Sequence, residues 1–173
     1  MALYTFEGKC PAIDSTAWIA PSADIIGDVQ IGPKCYIGWG AVLRGDHGSI
    51  IIEEGSAIEE GAIIHNSPDL TTRIGPEATI GHGAMLHNAT VEAFAVIGMR
   101  AVLSNHSRIG EWAIIGEMGL VRNNQEVAAG MIGVGQPVKV IGKVTQHHKE
   151  RWITSKKRYQ GFIKRNNESL NKI

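Results

Sequence analysis

Residues 74–86 read Ile-Gly-Pro-Glu-Ala-Thr-Ile-Gly-His-Gly-Ala-Met-Leu, with a large aliphatic at 74, 80 and 86 and an alanine at 78 and 84. A period of six fits neither a 3.6-residue helix nor a strand alternating every two residues. It fits one short strand plus one corner. Working outward, the period runs back through Ile64, Ile58 and Ile52 to Leu43, Ile37, Ile31, Ile25, Ile19 and Ile13. It runs forward through Val91, Ile97, Leu103, Ile109, Ile115 and Val121. Four residues after the aliphatic stands a small residue, as at Ala62, Ala95, Ala101 and Ala113, and one residue after it glycine is frequent, as at Gly75, Gly81, Gly98 and Gly116. Three such units close a triangular coil: the aliphatic fills the interior, the small residue fits the corner, and glycine is expected to supply the strained backbone. Stacked coils hydrogen-bond to one another at about 4.8 Å. The prediction is an all-β parallel prism over residues 1–142, followed by a different element over 143–173.

The length of 173 residues suits one domain. Seventeen Lys and Arg balance seventeen Asp and Glu, so no global charge draws the chain onto nucleic acid or an anionic membrane. No run of about 18 apolar residues is present, and none of the order of a signal peptide opens the chain, so no membrane partner and a cytoplasmic location are expected. Cys10 and Cys35 make no disulfide framework. From about Thr145, Val144, His148, Trp152, Tyr159 and Ile163 recur at helical spacing, which predicts an amphipathic helix lying along the prism. Residues 143–173 hold nine Lys or Arg and two acids, whereas the first 142 hold eight bases and fifteen acids. The basic helix is therefore expected to dock on an acidic prism, its own or a neighbour's.

Three interruptions of the period assign the walls. Leu43, Ile64, Leu86 and Leu103 fall on the third wall in successive coils, so the residues after them, Arg44, His65, His87 and Ser104, form an outward column. Two imidazoles one rung apart can reach one metal ion. His82, near the corner of the second wall, should not meet them in its own chain, but three prisms around a threefold axis could bring it to a neighbour's pair. His47, His106, His147 and His148 lie outside this phase and read as surface or capping residues.

Leu43-Arg44-Gly45-Asp46, Ile64-His65, Ile80-Gly81-His82 and Leu86-His87 are similar in order and spacing to the γ-class carbonic anhydrases, a hexapeptide-repeat family with a left-handed parallel β-helix and a C-terminal α-helix. The resemblance is nearest to the subgroup associated with phenylacetate degradation and carnitine metabolism, through Val42–Asp46, Ile80–His87 and the helix carrying Trp152 and Tyr159. It implies a homotrimer with metal sites at subunit interfaces, His65 and His87 of one subunit and His82 of the next holding Zn2+, with Fe2+ or Co2+ suited to the same ligands. Three imidazoles leave a fourth position open, the arrangement of catalytic zinc. The implied reaction is attack of zinc-bound hydroxide on CO2 to give bicarbonate, or on a similar small carbonyl. Arg44 and Asp46 would form an intersubunit ion pair, and Tyr159 would reach the site.

The family usually shows Asn-x-Gln-Asp-Gly before the first histidine, and this chain has Ala57-Ile58-Glu59-Glu60-Gly61. The amide that orients hydroxide is therefore a carboxylate, Glu59, which accepts a hydrogen bond but donates none and could act as a general base. The subgroup makes zinc-dependent hydrolysis of acyl-CoA thioesters the alternative reading. A hexapeptide acyltransferase, or a trimeric assembly subunit without turnover, is a further one.

Overall fold

The computed structural model describes residues 1–172, and it is the expected left-handed parallel β-helix with one C-terminal helix. The second wall stacks Trp18–Ile19, Tyr36–Ile37, Ala57–Ile58, Thr79–Ile80, Val96–Ile97 and Ile114–Ile115, all parallel. On the third wall Leu43 pairs with Ile64, Ile64 with Leu86, Leu86 with Leu103 and Leu103 with Val121. The first wall aligns Ile52, Ile74, Val91, Ile109 and Val127. Apart from half-buried Ile19 in the first coil, these inward aliphatics are at most 1% exposed, as are the corner alanines at 62, 78, 84, 95, 101 and 113. Each aliphatic so buried contributes about 1.5–3 kcal/mol, and each is held by the coil above and the coil below.

The glycines do something other than expected. Gly75, Gly81, Gly98 and Gly116 do not have left-handed backbone; what excludes a side chain there is the next coil. A Cβ on Gly98 would sit 2.5 Å from the backbone nitrogen of Glu117, and one on Gly75 2.8 Å from that of Ala93. The left-handed residue comes two positions later, at the corner itself, as at Glu77, Phe94, Arg100 and Met118 or at Gly61 and Gly83. There the side chain leaves the prism toward solvent, so a non-glycine residue fits at a modest backbone cost.

The parallel winding stops at Met131–Val134, against which Lys139–Lys143 folds back antiparallel. The helix, Gln146–Ser169, begins on a capping box in which the Thr145 hydroxyl accepts from the His148 N–H and His148 accepts from the Thr145 N–H. It docks on its own prism through aromatics rather than surface ion pairs. Tyr159 meets Tyr36 at 5.1 Å between ring centroids, and Phe162 lies beside both. Lys149 lies 4.9 Å over the ring of Trp112, itself stacked on Phe94. The only fully buried residue of the helix is Lys156. No helix is long and apolar enough to cross a membrane among the described residues.

Candidate functional site

All three interruptions fall at one corner, where the third wall turns into the first. Three extra residues between Leu43 and Ile52 carry Asp46 and His47, four extra between Ile64 and Ile74 carry Asn66 and Ser67, and one fewer between Leu86 and Val91 tightens the turn at Asn88. The histidine column stands beside this corner. Arg44 pairs with His65, and His65 with His87, on successive rungs. The two imidazole centroids are 5.1 Å apart, and the ring of His47 is 6.1 Å from that of His65.

Each ring of the pair is held on one nitrogen. Asp46 Oδ1 lies 3.0 Å from His65 Nε2 while Arg44 Nη1 donates to Asp46 Oδ2 at 2.7 Å. The ion pair expected between subunits is thus closed within one chain, because the extra residues after Arg44 curl Asp46 back over the same column. Burial works to raise the Asp46 carboxyl, but hydrogen bonds from His65 and Arg44 outweigh it and hold the group below its ordinary value. Burial, with the Arg44 charge, lowers the His65 imidazole. Asn105 Oδ1 lies 2.6 Å from His87 Nδ1 and the Asn88 amide nitrogen 3.2 Å from the same atom; with the shorter contact made by Nδ1–H to the amide oxygen, Nε2 keeps its lone pair. Asn88 clamps the same oxygen at 2.6 Å and anchors on Ser67. Neither asparagine was legible from the six-residue period, which marks aliphatics and not turn residues. Ser104, next in the column, lies on the rung beyond and bonds the backbone of Val121.

The same outward face carries a second column two residues earlier. Ile63, Met85 and Val102 pair rung on rung and are 38%, 47% and 37% exposed. Large apolar side chains in a continuous solvent-facing strip mark an association surface.

His82 is around the corner, as its phase predicts, in the turn that follows the second-wall strand Thr79–Ile80. Its Nε2 lies 3.2 Å from Glu59 Oε2 and its Nδ1 2.7 Å from Glu60 Oε2. Glu59 is 6% exposed, and burial raises its carboxyl; hydrogen bonds from the Tyr159 hydroxyl and the His82 N–H pull the other way. Tyr36 donates to Glu60 at 2.7 Å. Burial first, and the carboxylates after it, push both tyrosine hydroxyls well above the ordinary value. Tyr159 thus lies beside Glu59. A groove of about 350 Å3 opens beside them, between the second wall and the helix, with Glu59, Thr79, His82, Ile97, Trp152 and Tyr159 on its lining. Behind it, buried Lys156 donates to Thr79 Oγ1 at 2.9 Å; burial lowers its ammonium to about 8, against the pull of Glu77 and Glu59.

The described residues of one chain hold no cluster of three or more metal-ligating groups. What one chain does hold fits part of a metal site: two imidazoles on neighbouring rungs, edge to face, each with a partner on one nitrogen and a lone pair on the other. On His65 that lone pair faces Arg44 Nη2 at a long 3.4 Å.

No protein-family model matches the chain. Curated relatives do. The carnitine operon protein CaiE of Salmonella agona is 38% identical over 160 residues, 92% of this chain and 81% of the relative. Its Escherichia coli K12 counterpart is 35% identical over 170 residues, 98% of this chain and 87% of the relative. The chain belongs to the CaiE family. Among solved structures, a hexapeptide transferase family protein from Anaplasma phagocytophilum is 32% identical with a TM-score of 0.90, covering 94% of this chain and 96% of that one. A Bacillus cereus protein proposed to be an acetyltransferase superposes with a TM-score of 0.94 at 29% identity, covering 98% of each chain. The CaiE relatives agree with the carnitine side of the resemblance, and the structural relatives with the hexapeptide-repeat prism.

Proposed function

We propose that this CaiE-family chain is a metal-dependent enzyme of the γ-carbonic anhydrase type, built as a homotrimer and acting on CO2 or a similar small carbonyl. The observation that carries the reading is the pair His65 and His87, 5.1 Å apart on neighbouring rungs, beside a solvent-facing apolar strip and with His82 on the adjoining wall. His65 and His87 of one subunit, with His82 of the next, would hold Zn2+, or Fe2+ or Co2+, as a Lewis acid that brings the ionisation of water down toward neutrality.

The chain's own groups have distinct tasks in this reading. Asp46, held by Arg44, fixes the plane of the His65 ring, and Asn105 fixes that of His87. Glu59 offers a proton-accepting oxygen beside His82, kept in place by the Tyr159 hydroxyl. Glu60 is the more exposed of the two carboxylates on His82, so it is the one that gives way when His82 turns toward a neighbour. Packing of Ile63, Met85 and Val102 between subunits closes the site against bulk water.

A second reading is favoured by the groove, which at about 350 Å3 exceeds what CO2 needs: hydrolysis of a thioester at the same site. The names of the structural relatives support a third, acyl transfer. Metal analysis of protein purified without chelator is expected to give about one ion per chain, with a trimer by light scattering. His65→Ala should lose both metal and turnover. Mixed with His82→Ala, it should regain some metal, since one junction of a mixed trimer keeps all three imidazoles. Stopped-flow CO2 hydration and thiol release from acyl-CoA esters, each with Glu59→Gln, decide between the reactions. A metal-free monomer would end the proposal.

A further inference from the structure

The corner where the second wall turns into the third carries Trp39, Glu60, His82 and Met99 on four successive coils. Five residues later in each coil the third wall presents Arg44, His65, His87 and Ser104. Ridge and column therefore run at the same heights. His82 stands in the same coil as His87, so sharing it between subunits requires a threefold axis along the prism, which turns one subunit into the next without raising it. Each ridge residue then meets the neighbour's third wall on its own rung.

The chemistry matches on the rungs to either side of the histidines. Trp39 is 39% exposed, with Trp18 edge-on to it at 6.1 Å. On its rung of the third wall stands Arg44, whose Nη1 is taken by Asp46 and whose guanidinium has no ring of its own chain over it among the described residues. Met99, 43% exposed, shares its rung with Val102 of the apolar strip. The ridge between them is flattened. Gly40, Gly61 and Gly83 take the left-handed turn there, and a Cβ on Gly40 would meet nothing of its own chain within 4 Å. The corner between the first and second walls holds Lys34, Glu77, Phe94 and Trp112 in that same conformation, so the turn alone does not demand glycine, whereas a surface approaching from outside gains from the gap. We propose that Trp39 of one subunit lies on the Arg44 guanidinium of the next and that Met99 packs on its Val102, two anchors that flank His82 and seat it at the neighbour's histidine pair. The contact rests on the trimer read above and asks nothing of the metal, so the two can fail separately.

The test is the concentration at which the full chain dissociates, read by sedimentation velocity, with circular dichroism to confirm that each variant keeps the folded prism. Trp39→Ala should raise that concentration about tenfold or more, Trp39→Tyr should restore it, and Trp39→Leu, apolar but without a ring face, should not. Arg44→Ala alone should raise it by a similar factor, but by less than about threefold when Trp39 is already alanine, since partners in contact do not add. Met99→Ala should raise it about threefold, while Leu170→Ala, as exposed but at the helix end, leaves it unchanged. His65→Ala should keep the coupling between Trp39 and Arg44, so coupling in a chain that binds no metal keeps this contact and ends the metal reading. A metal-bound trimer in which the two substitutions simply add overturns the contact alone. So does a Trp39→Leu variant that assembles like the natural chain, or a monomer at every concentration.

Discussion

The prism and the helix are held by different means. In the prism the inward aliphatics from Ile37 to Ile109 are repeated one coil above and below, and none of them on the three walls is more than 1% exposed. The helix is held by four half-buried aromatic and aliphatic groups, Trp152, Tyr159, Phe162 and Ile163, and by one buried ammonium, Lys156. A repeated contact is over-determined and a singular one is not. The prism accordingly carries the groups that must keep one geometry, His65 and His87, while the wall of the groove that can yield is the helix.

The comparison breaks first in the prism. Leu86→Ala removes a side chain with no exposed surface and leaves a hole between two coils; about 3 kcal/mol of stability should be lost, read by urea unfolding. A loss below about 1 kcal/mol would mean that the coils collapse onto the gap and are not rigid.

Next is Lys156. Burial holds its pKa at about 8 in the folded chain, against the ordinary lysine value of 10.5 that the unfolded chain recovers, so between those values the unfolded chain binds the extra proton. Stability should therefore rise as pH increases from about 8 to 10, by on the order of 2–3 kcal/mol. The gain is cut off above about 10, where Tyr36 and Tyr159 ionise in the unfolded chain but not in the folded one. Lys156→Met should flatten the rise. The same slope in both proteins would show that the ammonium is solvated.

Asn105→Ala should leave the fold intact and cost roughly 10–100-fold in metal affinity, the usual effect of freeing a ligand's second nitrogen, measured by competition with a chelator. The smallest effect belongs to the helix start. Thr145→Ala removes the hydroxyl that caps the His148 N–H and should cost about 1 kcal/mol. If that substitution also weakened ligand binding in the groove, the helix would be shown to act as its adjustable wall.

The period of six makes the prism legible from sequence alone, because one aliphatic in six has nowhere to go but inward. The column of Arg44, His65 and His87 follows from the same count, as does the separation of His82 from it. The role of the glycines does not follow, since sequence shows that a side chain is missing and not whether φ or a neighbouring coil forbids it; at Gly98 it is the coil. Asn88 and Asn105 sit at turns, where the repeat leaves residue type free, so nothing in the period marks them as holding His87. Lys156 is invisible for another reason: on a helix with seven basic residues, one lysine reads like the rest, and only the folded chain shows that Thr79 takes it inside.

The reversed segment Lys139–Lys143 bears on what the molecule avoids. A stack of parallel coils is open at its end and could template another molecule's coil without limit. Running the last chain segment backwards on the second wall, with Lys139 and Lys143 exposed on its rim, offers an incoming copy the wrong polarity there. Filament growth is thereby refused at the tip, leaving lateral association as the route by which copies can meet.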